Sequence, residues 1–156
     1  MHILRRFQPI VYVKLAPDML SVRDVRSGRT VAEPPLVAIS RGQRKTVLGV
    51  GEAARVAATA PGVDLANPFK HPRSLLSDFT VAEVLIKGFF KKLLGGGLFR
   101  LTPVVIMHPR VDPEGGFTQI ENRALRELGV AAGGFPVYLA FEKRDLTDAE
   151  LLKLDQ

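Results

Sequence analysis

The side chains able to do chemistry are few and scattered. His2, His71 and His108 are the three histidines, and their separations fit no helical metal-ligand spacing, so each is read as a surface or turn residue. There is no cysteine, which removes thiol nucleophiles, thiolate metal sites and disulfide scaffolds. Gly95-Gly96-Gly97 follows a helical pattern and lacks the Lys-Ser/Thr ending of a phosphate loop. It predicts a helix stop and a flexible link. No Ser-His-Asp order and no paired carboxylates stand out, and no metal site is expected. Thr80-Val81-Ala82-Glu83, Thr118-Gln119-Ile120-Glu121 and Thr147-Asp148-Ala149-Glu150 fit capping boxes. In each, the Thr hydroxyl meets first-turn amides and the Glu reaches back to the Thr amide. Glu121 is therefore read as closing a box with Thr118.

Charge is the stronger compositional signal. Lys and Arg total 22 against 16 Asp and Glu, a net +6 with a pI near 10.0. Such an excess favours polyanions: nucleic acid, anionic lipid or acidic protein surfaces. Arg5, Arg6, Lys14, Arg23, Arg26 and Arg29 crowd the start, and Arg41, Arg44 and Lys45 form a second cluster. Residues 1–8 read as a basic amphipathic leader. If helical, Ile3, Leu4 and Phe7 share a face with Arg5 and Arg6 at its border, the composition of a segment lying at a headgroup boundary. The longest apolar runs are far below the roughly 20 residues a spanning helix needs. A cytoplasmic protein with peripheral contact to an anionic inner membrane is expected.

The elements that must position these residues follow from periodicity. With 156 residues, 46% hydrophobic and 24% charged, residues 9–156 are expected to form one domain. Residues 9–15, 19–25 and 46–50 read as strands. Residues 29–32 and 36–40 read as one extended stretch interrupted by Pro34-Pro35. Residues 51–60 read as a helix, 63–77 as a loop, 80–94 as a helix, 103–107 as a strand, 118–128 as a helix and 135–141 as a strand. A short capped helix closes the chain, with Leu146, Leu151, Leu152 and Leu154 available to cover a sheet face. A β-meander followed by strands separated by helices implies an α/β mixed sheet, of ribonuclease-H-like or actin-like type.

Several segments resemble the bacterial MreB family of actin-like rod-shape proteins. Gly28-Arg29-Thr30-Val31-Ala32-Glu33-Pro34-Pro35-Leu36-Val37-Ala38-Ile39 looks like G-x-V-L-N-E-P-S-V-V-A-I. Val47 to Ala54 resembles V-x-A-V-G-x-x-A, and Thr59-Ala60-Pro61-Gly62 the R-T-P-G turn. Ser77 to Glu83 resembles A-D-F-x-V-T-E, Gly116 to Ala124 is close to G-A-T-Q-V-E-R-R-A, and Val137 to Glu142 matches the strand before E-P-M-A-A-A. The segments run in family order and resemble the first half of such a chain.

The resemblance implies a nucleotide site, and the residues depart from it. The family's D-L-G-T-A-N phosphate loop corresponds to Lys14-Leu15-Ala16-Pro17-Asp18-Met19. Lys14 stands where the acid should be and cannot hold Mg²⁺. Pro17 has no amide to donate. The resemblance places Glu121 near a γ-phosphate, and Asn122 replaces the first of a paired Arg. Lys14, Ala16 and Glu121 are thus expected to form a vestigial nucleotide site, with no cofactor and no enzymatic activity. The leader resembles the family's M-L-K-K-F membrane anchor. The expected partners are full-length MreB or other cell-shape proteins. The alternative is a basic nucleic-acid-binding protein on a ribonuclease-H-like sheet, with a nuclease disfavoured by Lys14.

Overall fold

Ile10–Leu15 (β1) and Val104–Pro109 (β7) are near-continuous apolar runs, as expected of strands buried on both faces. They pair in parallel, from Ile10 opposite Val104 to Leu15 opposite Pro109. The computed structural model describes Ile3 and residues 6–97 and 101–156. β1 also pairs antiparallel with Leu20–Asp24 (β2), which pairs antiparallel with Thr30–Glu33 (β3). Val137–Leu139 (β8) adds in parallel to β7, giving a five-stranded sheet in the order β3-β2-β1-β7-β8. Parallel neighbours require crossovers. Phe79–Leu94 (α2) lies on the path into β7, and Gln119–Ala131 (α3) joins β7 to β8.

Alternation along the strands divides the core. Val11, Val13, Leu15, Val105 and Met107 face α2 and α3, whose Leu85, Ile86, Phe89, Phe90, Leu93, Leu125 and Leu128 are fully buried against them. Ile10, Tyr12, Val104 and Ile106 face the other way, onto Val25, Ala140 and Leu151. Leu151 belongs to Asp148–Lys153 (α4).

Val37–Ser40 (β4), Val47–Val50 (β5) and Val63–Ala66 (β6) form a separate antiparallel sheet, ordered β5-β4-β6, with Glu52–Ala57 (α1) packed on it. Two expectations change here. The stretch around Pro34-Pro35 is two strands in two sheets, because two successive residues without N–H groups cannot continue a ladder. The segment from residue 63 is not loop throughout, since its first four residues pair with β4 as an edge strand. A third concerns α2. Asp78 rather than Thr80 is its N-cap, accepting from the Val81 amide at 3.1 Å. Glu83 instead pairs with Lys87 one turn on. The boxes at Thr118–Glu121 and Thr147–Glu150 form as expected.

Glu33 ties the sheets together. Its carboxylate accepts from the Glu52 amide at 2.9 Å and from the Lys92 ammonium at 3.0 Å. This requires close approach at Gly51, which has φ +65° and whose absent Cβ would lie 2.5 Å from a Glu33 oxygen. Gly51→Ala therefore combines left-handed strain with a displaced carboxylate. It should lower unfolding free energy by about 1–3 kcal/mol, read as a drop in the urea midpoint.

Candidate functional site

In open α/β sheets the ligand crevice lies beyond the carboxyl ends of the parallel strands. At that end of β1 and β7, Lys14 is opposite His108. Tyr12 and Lys14 share a face by the two-residue period of a strand, the face that carries Ile10 and Ile106. Residues 140–147, after β8, fold back over it. Nε2 of His108 lies 2.8 Å from the Glu142 carbonyl oxygen and must donate to it. Nδ1 is then the acceptor, and the Tyr12 hydroxyl donates to it at 2.6 Å while accepting from the Leu146 amide at 3.1 Å. The imidazole is neutral in this chain of bonds. Burial, together with the Arg110 charge, pushes its pKa down against the opposing pull of the Glu142 carbonyl. Burial likewise raises the Tyr12 phenol.

His108 is thus fully buried and not the surface or turn residue expected. It ends an apolar strand in the same alternation as Ile106, which was the available signal. Arg110 donates to the carbonyls of Glu142 and Lys143, each at 3.0 Å. Asp145 closes the set, 2.9 Å from the Lys14 ammonium and 3.4 Å from the Arg110 guanidinium. The hydrogen bond from Lys14 holds its carboxyl below the usual range.

The other expected site residues have local partners. The Ala16 amide donates to the Met19 carbonyl at 3.1 Å, and the Pro17 carbonyl accepts from Asn67 at 2.7 Å. Glu121 accepts from the Thr118 amide at 2.9 Å with one oxygen and from the Leu75 amide at 3.1 Å with the other. These amides hold its carboxyl low, the Thr118 bond first. Glu121 and Pro17 border one cavity of about 330 Å³, with Phe69, His71 and Arg73. A second cleft of about 460 Å³ opens between the loop after β7 and residues 141–143. Lys14 lines neither cavity. Among the described residues, no group of three or more His, Asp or Glu is placed to hold a metal ion.

At the opposite end of the strands the surface is apolar. Ile3 is 77% and Phe7 69% exposed, and Arg6 is exposed beside them in sequence, while Leu4 and Arg5 lie outside the described residues. The Gln8 amide donates to the Thr102 carbonyl at 2.6 Å and the Phe135 carbonyl at 3.4 Å. This places Gln8 beside Phe135, which is 70% exposed, and beside Thr102, which follows the exposed Leu101 in sequence. Phe135 was missed in the sequence because it was counted as strand. No helix among the described residues is long and apolar enough to cross a membrane.

The order β3-β2-β1-β7-β8, with helices crossing over one face, defines an actin-like half-domain. The crystal structure of MreB 5 of Spiroplasma citri bound to AMPPNP superposes with a TM-score of 0.67 over 86% of this chain and 38% of that one, at 18% identity. The MreB/Mbl protein family profile matches residues 19–144. The chain belongs to the MreB/Mbl family of cell shape-determining proteins. It is 32% identical over 122 residues to MreB of Haemophilus influenzae, and 34% over 119 residues to Mbl of Bacillus subtilis. Each match covers 75% of this chain and 33% of the relative. The region shared with them is therefore about a third of their length.

Two titrations follow. His108 has a lowered pKa in the folded state, so its stabilisation is complete above the ordinary histidine value of about 6.5 and is lost as pH falls through the folded value. The urea midpoint should drop between pH 7.5 and 5.5, and His108→Gln should flatten that dependence. Glu121→Gln removes a charged cap and an anchor of the loop at Leu75. It should lower stability by about 1 kcal/mol at neutral pH, and the difference should shrink in acid as the wild-type carboxyl protonates.

Proposed function

We propose that this chain is a non-hydrolysing structural or binding module of the bacterial cell-shape cytoskeleton, docking on full-length members of its family. The observation that carries this is the ion pair of Lys14 with Asp145. The residue at the place of the family's phosphate-loop acid is a cation, and it is closed by the chain's own carboxylate. A lysine cannot coordinate Mg²⁺, the Ala16 amide already has an acceptor, and Glu121 serves a helix cap. The residues that resemble a nucleotide site therefore do not suit a metal-bound triphosphate. Isothermal titration with Mg-ATP should give no saturable binding up to millimolar ligand. Micromolar binding, or phosphate release that Glu121→Gln abolishes, would overturn the reading.

The same module is proposed to rest on the cytoplasmic leaflet through its leader. The exposure of Ile3 and Phe7, beside Arg6 in sequence, and of Phe135, whose carbonyl Gln8 reaches, supports this. Burying one such side chain contributes at most about 1.5–3 kcal/mol, and each Arg near an anionic surface about 1 kcal/mol. Binding should be reversible and salt-sensitive. The full chain should co-sediment with phosphatidylglycerol vesicles more than a variant lacking residues 1–7, and Phe135→Asp should fall between them. Equal partitioning of the full and shortened chains would remove the anchor.

The basic excess supports nucleic-acid binding less than composition suggests. Among the described residues, eleven cations are engaged in ion pairs, including Lys14, Arg23, Arg26 and Arg110.

A further inference from the structure

The two faces of the five-stranded sheet are held differently. One lies under two long helices. The other is covered by residues 142–156, in which α4 has only six residues. An isolated helix of that length is not stable in water, so α4 exists because it is docked. Its one fully buried side chain is Leu151, over Ile10, Tyr12, Val104 and Ile106, with Leu146 partly buried alongside.

His108, Arg110 and Tyr12 hold the backbone at Glu142, Lys143 and Leu146, and the ion pairs that complete the grip run in one direction. Arg23 donates to both oxygens of Asp148 at 2.8 and 3.0 Å. Arg26 reaches Asp155 at 2.7 Å, and Lys14 and Arg110 share Asp145. Every one of these cations belongs to the sheet or its turns, and every acid to the covering segment. The sheet face is thus an apolar floor with a basic rim. Its occupant shows what fits it: Asp148 and Leu151 lie three apart on α4, with Asp145 upstream of the helix and Asp155 in the turn after it.

We propose that this face is a docking surface for an acidic amphipathic helix of another polypeptide, with acids flanking a leucine in that spacing, and that residues 142–156 occupy it in cis until displaced. The tether gives the cis segment a high effective concentration, so a partner binds only as the segment opens. The ion pairs are the part of this grip that loosens first, although Arg26–Asp155 is less open, at 29% and 12% exposure, than Arg23–Asp148 and Lys14–Asp145. The Arg23–Asp148 pair keeps 37% and 48% side-chain exposure, and Lys14–Asp145 32% and 54%. Pairs this exposed hold weakly and are screened by salt. The surface stands on this packing, whatever filament the chain joins.

The probe is a fluorescein-labelled peptide of residues 142–156, followed by anisotropy with the full chain. Asp148→Asn with Asp155→Asn in the chain weakens the cis segment and leaves the floor intact. This double variant should bind the peptide at least ten-fold tighter than the unchanged chain. Added salt should weaken binding, Arg23→Glu in the double variant should abolish it, and a peptide carrying the same two Asn changes should bind neither chain. Equal affinity of the two chains, or of the two peptides, rejects the proposal. Should the double variant lose its circular dichroism, the unchanged chain decides the matter. Excess peptide should accelerate amide exchange within its own residues 147–154, and unaltered exchange rejects the proposal.

Discussion

The parallel pairing of β1 with β7 is the constraint on which the rest of the molecule depends. Parallel neighbours cannot be joined by a tight turn, so the chain between them must leave the sheet and return. It does so through the second sheet and α2, which thereby acquires a sheet face to bury Leu85, Phe89 and Leu93 against. The same pairing makes both strands internal. Each has a ladder partner on both sides over much of its length, and both faces must be covered. A layer of two helices follows on one side, and on the other a cover built mainly from residues after β8, with Val25 beside them. Register then does the rest. A slip of one residue would move Tyr12 and Lys14 to the helix-packed face, and His108 would face neither.

That register turns a structural strand end into a polar hub. His108 is buried at the point where β7 runs out of ladder partners, and it is satisfied on both ring nitrogens. The Tyr12 hydroxyl passes the chain of bonds on to the Leu146 amide, so a side chain of β1 fixes the backbone of the covering segment. Arg110 fixes the same segment through two carbonyls. Asp145 then lies where Lys14 and Arg110 can share it. A buried network of this kind is costly when partly satisfied and rigid when complete. Here its completion depends on a segment distant in sequence.

The strands, the helices and two of the three capping boxes were legible because their signals are local: β-branched runs, Thr-x-x-Glu, Gly after a helix. The family was legible for a different reason, in motifs kept in order. What escaped was decided by tertiary partners. Asp78 displaced Thr80 as a cap because both lie within one turn, and the better-placed acceptor starts the helix. The edge strand at Val63–Ala66 has a polar residue in a short run and exists by pairing with β4. His108 looked like punctuation before Pro109, and only the alternation with Ile106 marks it as inward. Lys14 was read from the resemblance as standing at the place of an acid, and its Asp145 partner lies too far along the chain to be inferred from spacing.

These observations assign different characters to the two ends of the sheet. The carboxyl end, where a doubly covered sheet ordinarily receives a ligand, is engaged by the chain itself. Lys14 has a carboxylate, the turn after β1 bonds to itself, and the helix-terminal Glu121 holds its own cap and a neighbouring loop. The amino end is open, with Phe7 and Phe135 exposed. A scaffold arranged in this way retains the packing of its family, because the α2, α3 and strand interiors do not depend on what sits at the strand ends. Selection on a core is a selection on volume and burial, whereas Lys14 and Asp145 set the charges presented at the strand ends. The fold is therefore shared with proteins of the family, while the charges at the strand ends are set by side chains outside that core.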